Sequence, residues 1–473
     1  MKLSSCGCSR SRREFLMGVA AAYGAGILAQ TSAASAMHGA AIAASKPAFW
    51  RNALTPPMGW NSYDNYGGSV TEGEYLANAR YMQTHLRHFG YQYAVIDYLW
   101  FDPQHAPRSV WQRGPLAMDS HGRLQPALNK FPSAKNGQGF APLSRRIGGM
   151  GLKFGFHIMR GIPRLAVEKN LPIEGSSFKA RDAADIHSTC SWNSDMYGVR
   201  GNTAAGQAYY NSLIRLYRTW GCEFIKVDDL SRPYHKAEIH ALRRALNRYG
   251  PHIVFSTSPG AMPVSEGVDI MHNANMWRIR DDFWDSWPLV DNMFDLTAAW
   301  KGFAGPGHWP DLDMLCLGRI GERSVGGPRF TRFNRHEQRT VMTFWAMAPS
   351  PLMLGMNLTR MDPWTLSLIA NPAVLAINQD MLGAQAIRRF RHGPMDAWTK
   401  PLHNGDIALS VINRGSNQRA ITTLQLPFES LGLSGKYNVN DLWSNKPAGS
   451  GVNGLAVSLV GHESRLYRMS RAL

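Results

Sequence analysis

The stretches Phe224-Ile225-Lys226-Val227-Asp228-Asp229 and Trp277-Arg278-Ile279-Arg280-Asp281-Asp282 decide the fold. In each, an apolar run typical of a buried strand ends at a basic residue that carboxylates follow closely. In a (β/α)8 barrel, side chains at the carboxyl ends of the strands line the active face. Two carboxylates that reach one pocket are what glycoside hydrolysis requires. The two stretches therefore predict a barrel enzyme with a carboxylate pair.

Strand-like and helix-like runs alternate outward from these stretches, from residue 50 to 384, which predicts a parallel α/β barrel over that range. Thr71-Glu72-Gly73-Glu74 forms a capping box, and helical spacing of apolar residues continues until Gly90. The predicted strands include Met58-Gly59-Trp60, residues 91–99, 153–158, 222–227, 252–256 and 273–279, a strand after Gly305-Pro306-Gly307-His308, and one within 344–355. Eight strands are the number that closes such a barrel.

Two further segments complete the predicted domain organisation. A polar insertion at residues 165–202 follows the third strand, where it is expected to cover the active face and shape the pocket. From residue 385 to 473, short strand-like runs at 407–412, 420–426 and 437–442 are separated by turn residues. This pattern predicts a small C-terminal antiparallel β-sandwich.

The first 36 residues have the features of an export signal. Ser11-Arg12-Arg13-Glu14-Phe15-Leu16-Met17 resembles the twin-arginine consensus of bacteria, and an apolar stretch (18–28) follows it. Ala34-Ser35-Ala36 fits a cleavage site between small residues. We therefore expect a periplasmic or secreted protein, and after residue 36 no apolar run is long enough for a stable membrane insertion.

Charge and cysteine content leave the function class open. The net charge of +17 is compatible with nucleic acid, but the basic residues are scattered and form no recognisable nucleic-acid motif. We therefore expect no nucleic acid as a partner. Beyond the signal, the spacing of Cys190, Cys222 and Cys316 fits neither a zinc site nor a disulfide framework, so free thiols, no metal and no cofactor are expected.

Six ordered motifs resemble those of the retaining α-galactosidases of glycoside hydrolase family 27, from residue 54 to about 384. The motifs are Thr55-Pro56-Pro57-Met58-Gly59-Trp60-Asn61-Ser62, Lys226-Val227-Asp228, Trp277-Arg278-x-x-x-Asp282, Gly305-Pro306-Gly307-His308-Trp309-Pro310-Asp311-Leu312-Asp313-Met314-Leu315, Ser350-Pro351-Leu352-Met353 and Ala376-Ile377-Asn378-Gln379-Asp380. The resemblance implies a barrel with a C-terminal sandwich, and an exo-glycosidase that hydrolyses terminal α-galactosidic bonds through a covalent glycosyl-aspartate.

The resemblance makes Asp228 the nucleophile and Asp282 the general acid/base. Lys226, two residues before Asp228 on the same strand face, is expected to keep Asp228 ionised. Asp281 is expected to favour the protonated form of Asp282 by like-charge repulsion, as a proton donor requires. Asp229 and Asp281 themselves are expected to be structural.

Further substrate-binding positions follow from the resemblance. Trp60 is expected to pack against the sugar, Asp97 and Lys226 to bind its ring hydroxyls, and Arg278 to reach the 2-hydroxyl side beside Asp282. Asp313 is expected either to orient the site or to cap a turn. His157 stands where the family usually has tyrosine, and it is either a pocket residue or a satisfied core histidine.

Two departures from the family pattern leave the sugar open. The galactosidases have consecutive aspartates after strand two that hold the 4- and 6-hydroxyls, whereas this chain has Asp97-Tyr98. A β-L-arabinopyranoside, which matches galactose but lacks the hydroxymethyl group, is therefore an alternative substrate. Tyr98 could instead fill an empty corner and leave galactose specificity intact.

The second departure lies after strand five. Small residues at 256–260, including Ser258, replace the Cys-Glu-Trp of the galactosidases and leave room beside the 2-position, which admits an α-N-acetylgalactosaminide. The expected partner in each case is an oligosaccharide or polysaccharide with a terminal galactose-like sugar. A catalytically inactive carbohydrate-binding protein is a more distant alternative, since both carboxylates are present.

Overall fold

A computed structural model describes residues 46–104, 115–258 and 260–472 of the chain. The predicted export signal at residues 1–36 lies outside these ranges. None of the described helices is both long and apolar enough to cross a bilayer. Cys190, Cys222 and Cys316 are unpaired and buried.

Residues 58–378 form the predicted alternation of strands and helices. The strands are β1 (Met58–Asn61), β2 (Tyr93–Ile96), β3 (Lys153–Met159), β4 (Phe224–Asp228), β5 (Val254–Thr257), β6 (Met276–Arg278), β7 (Trp309–Asp311) and β8 (Leu352–Leu354). At least one helix follows each strand, and the helix that precedes the next strand is in turn α1 (Glu72–His85), α2 (Ala141–Gly149), α3 (Ala204–Thr219), α4 (Lys236–Tyr249), α5 (Gly267–Met271), α6 (Trp287–Ala299), α7 (Arg335–Met347) and, after β8, α8 (Pro372–Asn378). Additional short helices are Tyr63–Tyr66, Arg164–Glu168, Ala180–Ala183 and Pro363–Ile369.

The eight strands form one parallel sheet in the order β7-β6-β5-β4-β3-β2-β1-β8. A parallel bridge between Leu315 and Leu354 joins the two ends of the sheet, and the Leu315 amide donates to the Met353 carbonyl at 2.8 Å. The predicted (β/α)8 fold is therefore confirmed. The carboxyl ends of all eight strands meet at one face, where the catalytic residues of such barrels lie.

Helix α1 shows how local sequence sets the first barrel unit. The side chain of Thr71 accepts the Glu74 amide and the Glu74 carboxylate accepts the Thr71 amide, which is the predicted capping box. The helix ends at His85, earlier than predicted, because a 3-10 turn at Arg87–Phe89 precedes Gly90. Gly90 has φ of 101°, a left-handed conformation that glycine adopts without steric cost.

Each barrel strand buries both of its faces. One face points into the barrel, where Tyr93, Val95, Phe224 and Met276 form a small cluster. The other face packs against the helices in the large core of the domain. Because both faces are buried, the sequence pattern does not reveal which side chains point into the barrel.

The insertion after β3 folds into a small sheet of its own. Its strands are Ile162–Pro163, Ala184–Thr189 and Met196–Val199, in the antiparallel order first-third-second. The turn between the last two strands brings Ser191 and Trp192 to the cavity described below. The insertion therefore contributes to the pocket, as expected.

The C-terminal region forms the predicted antiparallel sheets. Its strands are β9 (Ile387–His392), β10 (Met395–Pro401), β11 (Ile407–Asn413), β12 (Thr422–Pro427), β13 (Tyr437–Asp441), β14 (Lys446–Val452), β15 (Gly454–Leu459) and β16 (Ser464–Arg471). Six strands pair in the order β9-β10-β11-β16-β13-β14, and β12 pairs with β15 in a second sheet. A separate apolar core that includes Leu409, Leu424 and Met469 lies among them.

Candidate active site

A cavity of about 500 Å³ opens at the carboxyl ends of the barrel strands. This volume suits a ligand of one or two sugar rings. Its lining combines carboxylates, cations and aromatic rings: Tyr63, Asp97, Tyr98, Ser191, Trp192, Lys226, Asp228, Asp229, Ser231, Arg232, Gly260, Asp281, Asp282 and Met314. Asp228 from the end of β4 and Asp282 from the loop after β6 thus face the same cavity.

A buried ion pair lies at the floor of the cavity. Lys226 Nζ donates to Asp97 Oδ2 at 2.8 Å, and Asn61 Nδ2 donates to the same oxygen at 2.7 Å. Burial alone would raise the pKa of Asp97, but Lys226, His157 and the Tyr98 amide together outweigh this effect and hold that pKa well below its usual range. The pair therefore presents a fixed carboxylate and a fixed ammonium group to a ligand.

Asp228 is buried and held by two donors. His157 Nε2 lies 2.9 Å from Asp228 Oδ2, and the Asp229 backbone amide donates to Asp228 Oδ1 at 2.5 Å. Burial raises the pKa of Asp228 to about 7, against the lowering effect of the His157 hydrogen bond. Lys226, whose ammonium is paired with Asp97, also lowers this pKa but less than His157 does.

Asp282 has a more open environment. Its side chain is 47% exposed, and Oδ1 lies 3.4 Å from Nη2 of Arg278. Asp281 points away to form an ion pair with Arg232, with contacts of 2.5 and 3.1 Å. The charge of Asp281 is therefore compensated by Arg232, which weakens the predicted repulsion on Asp282.

Arg278 forms a buried support beneath Asp282. Its guanidinium lies 2.6 Å from Asp313 Oδ2 and donates to Ser258 Oγ at 3.1 Å. The same Asp313 oxygen accepts the Phe283 amide at 2.7 Å, so it also holds the loop that carries Asp282. Burial raises the pKa of Asp313 to about 7, while Arg278 lowers it.

Tyr98 forms one wall of the cavity. Asn193 Nδ2 donates to its hydroxyl oxygen at 2.7 Å, and its ring packs edge-on against His157 and Trp192. The neighbouring Asp97 accepts the Tyr98 amide at 2.8 Å, which ties the backbone of the wall to the buried ion pair. Hydrogen bonds thus hold both the hydroxyl group and the backbone amide of Tyr98.

Comparison with known proteins places this site in a family. The family model described as alpha galactosidase A matches residues 186–380, and the model of the alpha galactosidase C-terminal beta sandwich domain matches residues 392–469. The crystal structure of a family 27 β-L-arabinopyranosidase from Geobacillus stearothermophilus is 46% identical, covers 91% of this chain and 99% of that chain, and has a TM-score of 0.86. The chain belongs to glycoside hydrolase family 27.

More distant relatives in family 27 are α-galactosidases. Alpha-galactosidase 2 of Arabidopsis thaliana is 27% identical over 89% of this chain and 90% of its own length. Alpha-galactosidase A of Cellvibrio japonicus is 27% identical over 80% of each chain. As a family 27 member, the protein is a glycosidase, and the glycosyl-aspartate mechanism is general to that family.

The structure divides the predicted site residues of this family 27 protein into two groups. Those that line the cavity are Asp97, Tyr98, Lys226, Asp228 and Asp282. Those that are buried behind it are Trp60, His157, Ser258, Arg278 and Asp313, none more than 3% exposed. Of the second group, His157 contacts Asp228 and Arg278 contacts Asp282, and so these two support the site without lining it. Ser258 and Asp313 in turn contact Arg278.

Trp60 is the clear correction. Its side chain is fully buried, its Nε1 donates to the Met356 carbonyl at 2.8 Å, and its ring packs near Tyr75 of α1. The residue lies on the face of β1 that packs against the helices, so the prediction that it packs against the sugar is wrong. Ser258 likewise contacts Arg278 behind the cavity.

Several cavity residues were missed by the sequence reasoning. Tyr63, three positions after Trp60 and just beyond the end of β1, supplies the aromatic side chain from that unit. Burial, together with Asp282 and Asp97, raises its pKa, so its hydroxyl stays protonated and can donate to a sugar. The other cavity residues that the sequence does not predict are Ser191, Trp192, Ser231, Arg232, Gly260 and Met314, together with Asp229 and Asp281, for which it predicts a structural role. Tyr63 could have been predicted from its position just past the end of β1. Whether the other residues reach the cavity depends on the conformation of their loops.

Within the described ranges, no group of three or more His, Cys, Asp or Glu side chains is arranged to hold a metal ion.

Proposed function

We propose that the protein is a retaining exo-glycosidase that prefers terminal β-L-arabinopyranosides and accepts α-D-galactosides less well. The two sugars share their configuration around the ring and differ at C5, where galactose carries a hydroxymethyl group and arabinopyranose only hydrogen. The choice between them therefore depends on the part of the cavity that faces C5.

Tyr98 is the observation that carries this proposal. The galactosidases have two consecutive aspartates at this point of the chain that together hold the 4- and 6-hydroxyls, and in this chain Tyr98 replaces the second of them. Here a phenol ring occupies the wall, and its hydroxyl is already held by Asn193 at 2.7 Å. A 6-hydroxyl therefore loses a charged acceptor and meets a bulky ring, while a pentopyranose needs neither the acceptor nor the space. The 46% identity to a β-L-arabinopyranosidase supports the same choice.

The ion pair at the floor of the cavity can bind either sugar. Asp97 and Lys226 offer an acceptor and a donor for the ring hydroxyls that arabinopyranose and galactose have in common. The curated α-galactosidases among the relatives make an α-galactoside the second candidate. An α-N-acetylgalactosaminide receives less support, because Ser258 is buried against Arg278 and leaves no opening of its own into the cavity.

The proposed reaction proceeds in two displacements. An Asp228 oxygen attacks the anomeric carbon while the bond to the leaving oxygen breaks, and Asp282 gives its proton to that oxygen. Asp282, now a carboxylate, then takes a proton from water, which attacks the same carbon and releases Asp228 as a carboxylate. Asp282 is the more exposed of the two side chains, which suits a group that must meet both leaving group and water.

Tyr98→Asp tests the glycone assignment. The variant restores the consecutive aspartates of the galactosidases, so the kcat/KM ratio of nitrophenyl α-galactoside to nitrophenyl β-L-arabinopyranoside should rise roughly ten- to hundredfold, the size of one hydrogen bond to a charged group. The wild-type ratio, measured on a panel that includes nitrophenyl α-N-acetylgalactosaminide, should favour the arabinopyranoside.

Tyr98→Phe is the matched control. It removes the hydroxyl that Asn193 holds but keeps the ring, so the sugar preference should stay close to that of the wild type. If the wild-type enzyme instead prefers the α-galactoside, it is an α-galactosidase, the second candidate above. If the kcat/KM ratio of the two substrates is unchanged in Tyr98→Asp, Tyr98 does not determine the sugar preference.

We also propose that the enzyme is exported through the twin-arginine route and acts on oligosaccharides or polysaccharides outside the cytoplasm. The support is the sequence at Arg12-Arg13 with its apolar stretch and cleavage site. Replacing both arginines with lysine should reduce the exported fraction of the protein to background, measured by cell fractionation in a bacterial host. Export at the wild-type level would contradict the proposal.

A further inference from the structure

His157 stands between the core and the cavity. It lies near the end of β3, opposite Lys226 of β4 in the strand register, and Met159 lies opposite Asp228. Its side chain is 1% exposed, yet its Nε2 is 2.9 Å from Asp228 Oδ2. The imidazole is therefore inaccessible to a sugar and in direct contact with the carboxylate that faces the sugar.

The two ring nitrogens of His157 have different surroundings. A carboxylate oxygen accepts a hydrogen bond, so the Nε2 atom that faces Asp228 carries the proton. The other ring nitrogen, Nδ1, is buried and finds no hydrogen-bond partner among the described residues.

His157 also takes over the role expected of Lys226, which is to stabilise the ionised form of Asp228. The sequence predicts that the lysine keeps Asp228 ionised, but its ammonium donates to Asp97. Other charged or titratable groups around Asp228 are Asp282 across the cavity, Tyr63 after β1 and Cys190 of the insertion. Asp229 is turned toward Arg160 at 2.9 Å. Among these groups, His157 is the side chain that donates directly to Asp228.

We propose that His157 is a positioning residue for the reaction, which fixes the orientation of the Asp228 carboxylate and stabilises its ionised form through the Nε2–H hydrogen bond. This inference rests on the proposed role of Asp228 as nucleophile. The imidazole keeps its proton through both displacements. Its hydrogen bond is strongest when Asp228 carries its charge, before attack and again as the glycosyl ester breaks.

A pair of amide variants separates the hydrogen bond from the packing of the ring. In His157→Gln the side-chain NH₂ group reaches the place of Nε2, whereas in His157→Asn the shorter amide reaches only that of Nδ1. Both variants lose the imidazole, so they differ mainly in whether a donor contacts Asp228. The measurement is the pH dependence of kcat/KM on the preferred nitrophenyl glycoside, with melting temperatures as a check on folding.

In the wild type, kcat/KM should fall as the pH drops through about 7, because protonation of Asp228 removes the nucleophile. The acid limb of His157→Asn should move up by about one to two pH units, the effect of losing a hydrogen bond to a charged carboxylate. The acid limb of His157→Gln should stay near that of the wild type. A limb that does not move in His157→Asn, or moves equally in both variants, would overturn the inference.

A trapping experiment separates failure of this inference from failure of the proposed function. A fluorinated, slowly hydrolysed analogue of the substrate should label the wild-type enzyme covalently, and peptide mass analysis should place the label on Asp228. A label on another residue would refute the nucleophile assignment itself. A label on Asp228 together with an unmoved limb in His157→Asn would refute only the role of His157.

Discussion

Asp228→Asn is expected to abolish turnover of nitrophenyl β-L-arabinopyranoside and of nitrophenyl α-galactoside alike. The amide has nearly the shape of the carboxylate but cannot form the glycosyl ester, so kcat should fall by a factor on the order of 10⁵. Steady-state kinetics at neutral pH measures this loss. Binding of free arabinose, followed by calorimetry or by a rise in melting temperature, should persist because Asp97 and Lys226 are unchanged.

Asp229→Asn provides a control one residue away. Asp229 has φ of 61°, a left-handed conformation that asparagine tolerates well, and its carboxylate faces Arg160. The same chemical change at this position should therefore leave kcat within about tenfold of the wild type, because the amide oxygen of asparagine still accepts a hydrogen bond from Arg160. Activity near the wild-type level in Asp228→Asn, or equal losses in both variants, would contradict the assignment.

The parts of the site that the sequence predicts are those fixed by the strand ends. Asp97, Lys226 and Asp228 each close a run that reads as a buried strand, and the carboxyl ends of parallel strands meet at one face of a barrel. Their convergence on one cavity therefore follows from topology, once eight strands are recognised. The separation of Lys226 and Asp228 by two residues also places both on the inner face of β4.

The features of the site that the sequence does not predict are of two kinds. They depend on which face of a strand points into the barrel, and on which of two nearby carboxylates forms the ion pair with a lysine. Trp60 lies in the first motif and Tyr63 directly follows that motif, but β1 is buried on both faces, so apolar character does not tell which aromatic ring reaches the cavity. Lys226 is attracted to both Asp97 and Asp228, and only the packed structure shows that it pairs with Asp97. Local spacing carries no information about that competition.

The insertion after β3 illustrates a further limit. Its location after a barrel strand predicts that it covers the active face, but the contact of Asn193 with Tyr98 joins residues 95 positions apart. Such a contact depends on the path of a loop with little periodicity. The sequence therefore identifies Tyr98 as a departure from the family pattern, but only the folded chain shows that Asn193 holds its hydroxyl.

Asp282→Ala is expected to lose activity in a way that depends on the leaving group. Without the proton donor, kcat on an unactivated disaccharide should fall by roughly 10²- to 10⁴-fold, whereas the first displacement of a nitrophenolate, which leaves without protonation, should be much less affected. The glycosyl-enzyme should then accumulate, because water lacks its base. Azide, an anion that needs no base, should restore turnover, and its product should be a glycosyl azide with the configuration of the substrate.

The exposure of Asp282 makes this rescue feasible, because removing a side chain that is 47% exposed opens a path for a small anion to the anomeric carbon. Asp281→Ala is the matched control: it removes only the exposed ion pair with Arg232, so its rates should stay within a few-fold of the wild type, with no response to azide. Equal losses on both leaving groups in Asp282→Ala, or the absence of a glycosyl azide, would show that the proton comes from another residue. Asp313, buried and joined to Asp282 through Arg278, has no path of its own to the leaving oxygen, so we expect the rescue to single out Asp282.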